Sequence, residues 1–248
     1  MIVINNPNNP SGAVIPKDIL LKIVDVARRH DIILFSDEVY APLFHGLSSS
    51  SEPPPSPPSA LALGYARTVV TGSMSKAWAL AGIRVGWLAS PDTSIVEAAA
   101  SARDYTTISV SQLDDQVAAY ALSDTVRPHL LSRNLDLARH NLALLDAFVT
   151  AHAKNCAWAG DVRPRAGTTA FLRFLDRDAR PVDDVAFCTD LLGSAKVLLV
   201  PGSRCFGNGN GNGGADFAGY VRFGYVCETE VLEVALQKLG AYVAARLA

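Results

Sequence analysis

The chain has 248 residues, of which 49% are hydrophobic and 19% are charged, and its formal net charge is -2. A chain of this length and hydrophobicity can bury a sizeable core, in one large domain or two modest ones. Because the charge is near zero and no apolar run is long enough to span a bilayer, neither nucleic acid nor a membrane is expected as a partner.

The spacing of the cysteines and histidines predicts no metal site. The four cysteines lie far apart without a CxxC pair, and the five histidines show no ligand spacing. Scattered cysteines of this kind are mostly core or surface thiols. The apolar run at residues 1–4 is too short for a signal peptide, so we expect a cytoplasmic protein.

The first part of the chain predicts a strand, a helix and a strand. The opening strand leads into the turn-forming run Asn5–Gly12. Pro16 then opens an amphipathic helix whose apolar face would carry Ile19, Leu20, Ile23, Val24 and Ala27. The run Ile32–Phe35 predicts a buried strand of the parallel kind. Ligands bind at the carboxyl ends of strands in open α/β sheets, which places Asp37, Tyr40 and the Asn–Pro turns in that crevice.

A lysine follows the next apolar run, Thr68–Val70. At the end of a buried strand, desolvation would disfavour the ammonium of Lys76 and leave an amine able to attack a carbonyl. Ser73 and Arg84 add a hydroxyl donor and a planar cation, which are groups that hold a phosphate. Together they indicate a phosphorylated aldehyde cofactor held as a Schiff base. The alternative is a solvated lysine and an arginine paired elsewhere.

The remaining pattern predicts further helices and strands and a smaller α+β unit beyond Gly160. The predicted strands are Val85–Ala89, Thr169–Leu175, Lys196–Val200 and Tyr220–Val226, and the predicted helices are 91–104, Gln112–Leu122, Val126–Ala153, Val182–Leu192 and 228–248. We expect residues 1–130 to form part of a large domain and residues 131–248 a small one. A Ser/Pro-rich insertion at 48–59 and a Gly/Asn run at 208–214 are expected to be flexible.

Four blocks of the sequence resemble, in order and approximate spacing, the class I/II pyridoxal-phosphate-dependent aminotransferases of fold type I. They are Asn8–Gly12, Ser36–Tyr40, Ser73–Lys76 with Arg84, and Tyr220–Phe223. The resemblance implies an α/β fold: a partial large domain with a mostly parallel sheet flanked by helices, and a smaller α+β C-terminal domain. It also implies that the chain corresponds to the C-terminal two thirds of a member and lacks the family's N-terminal segment.

The resemblance assigns cofactor contacts to specific residues. Lys76 would form the Schiff base with pyridoxal 5'-phosphate and then move the substrate proton. Asp37 would pair with the pyridine nitrogen, and Tyr40 and Asn9 would bond the phenolic oxygen of the ring. The alternatives are a helix cap for Asp37, a core tyrosine and a turn asparagine.

The resemblance also assigns anion-binding residues. Ser73 and Arg84 would hold the phosphate, with Ser75 as a helper. Arg222 would bind the substrate α-carboxylate, because a guanidinium fork suits a planar anion. Its alternative is a surface arginine on a strand. Asn9 is assigned to the substrate as well. The stretch Pro201–Gly207 is similar to a turn of the family, and no chemistry is assigned to it.

The resemblance implies the transfer of an amino group between an amino acid and a 2-oxo acid, and a homodimer for the full-length protein. Two alternatives stay open on the same residues. The first is a lyase, cyclase or decarboxylase that uses the same cofactor. The second is a non-catalytic remnant that acts as an interaction module.

Overall fold

A computed structural model describes residues 1–46, 56–207 and 216–247. The predicted Gly/Asn run at 208–214 and most of the predicted insertion at 48–59 lie outside these ranges. The chain divides into two compact units. The first comprises Met1–Asn8, Ala13–Asp136 and Arg165–Gly167, and the second comprises Asn9–Gly12, Leu137–Pro164 and Thr168–Ala248. The predicted domain division at residues 130 and 131 stays a prediction. No helix within the described ranges has the length and apolarity needed to cross a membrane.

The first unit contains a mostly parallel four-stranded sheet, as the sequence predicts. Its strands are β1 Ile2–Asn5, β2 Leu34–Asp37, β3 Thr68–Ser73 and β4 Gly86–Ala89. They are ordered β1-β2-β3-β4, with β1, β2 and β3 parallel and β4 antiparallel to β3. The helices are α1 Lys17–Arg29, α2 Thr93–Arg103, α3 Gln112–Ala121 and the first part of α4 Arg127–Ala151.

Helix α1 begins directly after Pro16, where the missing backbone N–H of proline costs no hydrogen bond. Leu20, Val24 and Ala27 recur at helical spacing and are buried. Val24 and Ala27 belong to one core cluster with Leu34 of β2. The amphipathic prediction is thus confirmed, although Ile19, predicted on the buried face, is exposed.

The second unit has the predicted α+β character. It contains β5 Cys156–Trp158, β6 Thr169–Phe174, α5 Asp184–Ala195, β7 Val200–Pro201, α6 Gly202–Phe206, β8 Tyr220–Gly224 and α7 Thr229–Arg246. The sheet order is β5-β6-β8-β7, and every pairing is antiparallel.

The predicted strand Lys196–Val200 is wrong over most of its length. Lys196 takes a left-handed backbone conformation (φ 59°) as it ends α5, and ladder pairing starts only at Val200. Val197 and Leu199 are buried while Leu198 between them is 73% exposed. This alternation of apolar side chains is typical of a strand, although the segment pairs with no strand among the described residues. Strand β5 and the short helix α6 were not predicted.

Two buried thiols in the core of the second unit give a prediction about alkaline pH. Burial raises the pKa of Cys156 and of Cys188 from about 9 to about 12. The native state therefore retains these protons after the unfolded chain has lost them. Their contribution to the free energy of unfolding is fully present below about pH 9 and is lost as the pH rises toward 12. The loss is on the order of 1 kcal/mol per thiol for each pH unit.

Urea unfolding at increasing pH measures this effect. We expect the midpoint to decline above about pH 9, and Cys156→Ala to make the decline shallower. Cys205 is exposed, so Cys205→Ser serves as the matched control and should leave the decline unchanged. A midpoint that stays constant up to about pH 11 contradicts the prediction.

Candidate active site

The carboxyl ends of two parallel strands bring the predicted residues of the first unit to one edge of its sheet. Asp37 is the last residue of β2 and Ser73 the last of β3. In the parallel register, Asp37 lies opposite Thr71. This edge is where ligands bind in open α/β sheets.

One oxygen of the Asp37 carboxylate accepts hydrogen bonds from described residues, and the other accepts none. Its Oδ1 accepts hydrogen bonds from the backbone N–H of Val39 and from Oγ1 of Thr71, both at 3.2 Å. Its Oδ2 accepts no hydrogen bond within the described parts of the chain. Residues 39–42 form turns and none of residues 38–46 is helical, so Asp37 caps no helix. Thr71, which the sequence did not assign, fixes this carboxylate, and the parallel register is the signal that identifies it.

Tyr40 lies next to Lys76. Its side chain is 5% exposed, and the Lys76 Nζ lies 5.9 Å from the centroid of its ring. Gly167, at a left-handed φ of 78°, lies against the ring: a Cβ added there would stand 3.5 Å from Tyr40 Cδ1. Tyr40 is therefore a core tyrosine and a neighbour of the candidate lysine at once.

The predicted burial of Lys76 is wrong, because its side chain is exposed. Strand β3 ends at Ser73, and Met74, Ala77 and Trp78 then occupy the buried positions. The lysine between them points outward, stays in contact with the ring of Tyr40, and is accessible to a ligand.

The predicted phosphate donors lie at the end of β3 and in the connection that leads from it to the antiparallel strand β4. Ser73 Oγ lies 2.9 Å from Ser75 Oγ and accepts the backbone N–H of Ser75 at 3.0 Å. The backbone N–H of Met74, the residue between the two serines, donates to the carbonyl of Val85 at 3.0 Å. Arg84 directly precedes Val85 in the sequence. The Arg84 guanidinium is exposed and donates to the carbonyl of Ala81.

Asn9 and Arg222 meet in the second unit. Nη1 of Arg222 donates to Oδ1 of Asn9 at 3.3 Å. Arg222 is half-buried on β8, where its neighbours across the sheet are Phe171 and Val200. Its Cζ lies 5.5 Å from the centroid of the Phe206 ring. The arginine is therefore held on two sides, and the sequence predicted neither contact.

The family model for aminotransferases of class I and II matches residues 1–239. The chain belongs to the class I and II aminotransferase family. It is 32% identical to capreomycidine synthase of Streptomyces vinaceus over 99% of this chain and 57% of that protein.

Two solved structures agree with this family. A PLP-dependent aminotransferase from Streptococcus suis shares 33% identity at a TM-score of 0.80, with 99% of this chain and 57% of that one covered. The PLP-dependent cyclase OrfR shares 26% identity at a TM-score of 0.76, with 98% and 58% covered. The predicted fold type I is confirmed. The chain spans little more than half the length of these relatives.

Pyridoxal phosphate is the cofactor of class I and II aminotransferases. The residues at the sheet edge suit its ring nitrogen, its phosphate and its aldehyde. Asp37 offers a free carboxylate oxygen to a protonated ring nitrogen. Ser73, Ser75 and Arg84 offer hydroxyl and guanidinium donors to a phosphate. Lys76 offers an exposed amine to an aldehyde.

Proposed function

We propose that this aminotransferase-family chain transfers an amino group between an amino acid and a 2-oxo acid. The observation that carries the proposal is the grouping at the sheet edge. The carboxylate that ends β2 has one oxygen without a hydrogen bond from any described residue, and the lysine that follows β3 lies beside a buried tyrosine ring.

The residues of the first unit would hold the cofactor. Pyridoxal phosphate, when bound, supplies an aldehyde for the substrate amine and a ring that accepts electrons from the substrate Cα. Asp37 would keep a proton on the ring nitrogen, because its carboxylate is held in place by Thr71 and carries the opposite charge. Ser73, Ser75 and Arg84 bind the phosphate, and Tyr40 bonds the phenolic oxygen.

Lys76 would carry the proton that the reaction moves. The amine would hold the cofactor through its aldehyde in the absence of substrate, and it would accept the proton from the substrate Cα. Its contact with the face of the Tyr40 ring limits the positions of the side chain while leaving the nitrogen accessible.

Arg222 would bind the substrate carboxylate. Its guanidinium donates one hydrogen bond to Asn9 and lies over the ring of Phe206. The other N–H groups of the guanidinium suit a carboxylate. Asn9 would support this arginine, and its bond to the phenolic oxygen of the cofactor stays a prediction from the family resemblance. The substrate pair and homodimeric assembly are implied by the family resemblance and belong to the same proposal, as does the cytoplasmic location expected from the sequence.

Arg222→Ala should weaken substrate binding and leave cofactor binding nearly unchanged. Losing charge-assisted hydrogen bonds of about 1.5–3 kcal/mol raises the required amino acid concentration by roughly 10- to 150-fold. Substrate titration against the visible absorbance of the bound cofactor measures this. Arg173 is a matched control on the adjacent strand β6, and Arg173→Lys should leave the titration unchanged. Loss of the cofactor absorbance in Arg222→Ala would show that the carboxylate role is wrong.

Product analysis with a panel of amino acids tests the reaction. Accumulation of the amine form of the cofactor together with a 2-oxo acid supports transamination. Release of ammonia or carbon dioxide without it supports the lyase or decarboxylase alternative, and a ring-closed product supports the cyclase alternative, which the similarity to OrfR favours. A chain that binds no cofactor while Lys76 is intact would support the interaction-module alternative.

A further inference from the structure

The stretch Pro201–Gly207, to which the sequence assigned no chemistry, contacts Arg222 through its one aromatic residue, Phe206. Phe206 ends α6, and its ring faces the guanidinium at 5.5 Å. A cation over an aromatic face is attracted to the ring and confined to its axis. With Asn9 on another side, this contact restricts the orientation of the fork that would receive a carboxylate.

Helix α6 is itself held by a buried carboxylate. Asp184, the first residue of α5, is 3% exposed. Its Oδ2 accepts both the backbone N–H and the hydroxyl of Ser203, at 2.9 Å and 2.8 Å. Its Oδ1 accepts the backbone N–H of Gly219, one residue before β8, at 3.4 Å. One carboxylate thus ties the start of α6 to the start of the strand that carries Arg222.

Close packing fixes the same end of α6. A Cβ added to Gly202 would stand 2.6 Å from the carbonyl oxygen of Tyr220 and 2.9 Å from Cζ of Phe171. No side chain fits at these distances, so the start of α6 lies directly on β8 and β6. The ring of Phe171 also packs edge-on against Phe206 at 5.6 Å between centroids. These contacts leave Phe206 little freedom to move away from Arg222.

The geometry points to Asp184 and Phe206 as positioning residues for the carboxylate-binding arginine. Asp184 anchors α6 through Ser203, α6 places the ring of Phe206, and the ring sets the orientation of the Arg222 guanidinium. The inference rests on the proposed function, because the group that is positioned is the arginine assigned to the substrate carboxylate. It gives a role to the Pro201–Gly207 stretch and to Asp184, a buried carboxylate that contacts no proposed ligand.

The test uses the side-chain Nε–H resonance of Arg222 in the nitrogen-15-labelled chain, assigned by its loss in Arg222→Lys. Phe206→Leu removes the ring, and Asp184→Asn replaces one acceptor oxygen by a donor that opposes the N–H of Ser203. We expect both variants to shift this resonance and to speed its exchange with water. Phe217→Leu is the matched control, because Phe217 belongs to the same aromatic cluster and packs on Phe171 and Tyr220.

Succinate serves as the carboxylate probe in a titration followed by the same resonance. Phe206→Leu should weaken succinate binding by about two- to five-fold, the loss expected for a cation–π contact of about 0.5–1 kcal/mol. Ser203→Ala, which removes a single hydrogen bond to Asp184, should act in the same direction.

The outcomes separate the two claims. An Arg222 resonance that is identical in wild type, Phe206→Leu, Asp184→Asn and Ser203→Ala overturns the positioning inference, whether or not succinate binds. An equal shift in Phe217→Leu also overturns it, since the effect would then belong to the cluster as a whole. If the resonance shifts as expected but succinate leaves the wild-type resonance unmoved, the positioning stands and the carboxylate role of Arg222 fails.

Discussion

Lys76→Ala is expected to abolish retention of pyridoxal phosphate and with it the visible absorbance of the bound cofactor. The lysine amine is the only group that the proposed function assigns to holding the aldehyde, and it is also the assigned base. Losing the base alone lowers the rate of such a step by about 10²- to 10⁴-fold. The measurement is absorbance after gel filtration, followed by the single-turnover rate with added cofactor.

Lys22 supplies the control for Lys76. It is likewise an exposed lysine of the first unit, on α1, so Lys22→Ala should keep both the absorbance and the rate. Retained absorbance in Lys76→Ala with an unchanged rate would assign the cofactor to a different amine and remove the basis of the proposed function.

Asp37→Asn is expected to slow the reaction strongly while leaving the fold intact. The amide can still accept the hydrogen bonds of Val39 and Thr71 through one oxygen, but it no longer opposes the charge on the ring nitrogen. Removing an electrostatic group of this kind costs on the order of 10²- to 10³-fold in rate. Single-turnover kinetics at saturating cofactor measure the loss.

A surface carboxylate gives the comparison for Asp37. Asp25 pairs with Arg29 at 3.0 Å on the exposed side of α1, and surface pairs of this kind contribute little. Asp25→Asn should therefore react at the wild-type rate. A wild-type rate in Asp37→Asn would contradict the pairing of Asp37 with the ring nitrogen.

The sequence predicted the elements that strong local patterns specify. Helix α1 follows from Pro16 and the helical spacing of Leu20, Val24 and Ala27, all of which are buried. The parallel character of the sheet follows from the continuous apolar run Ile32–Phe35, whose last two residues lie in β2 and pair in parallel with β1 and β3. The positions of Asp37 and Ser73 at strand ends follow from where those runs stop.

What the sequence missed depends on tertiary contacts. The exposure of Lys76 is decided by Ala77 and Trp78, which occupy the buried positions after β3. The strand predicted at Lys196–Val200 fails because alternating burial does not by itself supply a hydrogen-bonding neighbour. The contact between Phe206 and Arg222 joins residues on different elements, which no spacing rule detects.

Transfer of a nitrogen-15 label from an amino acid to the cofactor tests the central claim most directly. The purified chain, loaded with pyridoxal phosphate, is mixed with a single labelled amino acid in the absence of a 2-oxo acid, and the cofactor is released and analysed by mass spectrometry. The proposed function predicts the label in the amine form of the cofactor, in a stoichiometric amount with the 2-oxo acid. Unlabelled cofactor alongside consumed amino acid would contradict it.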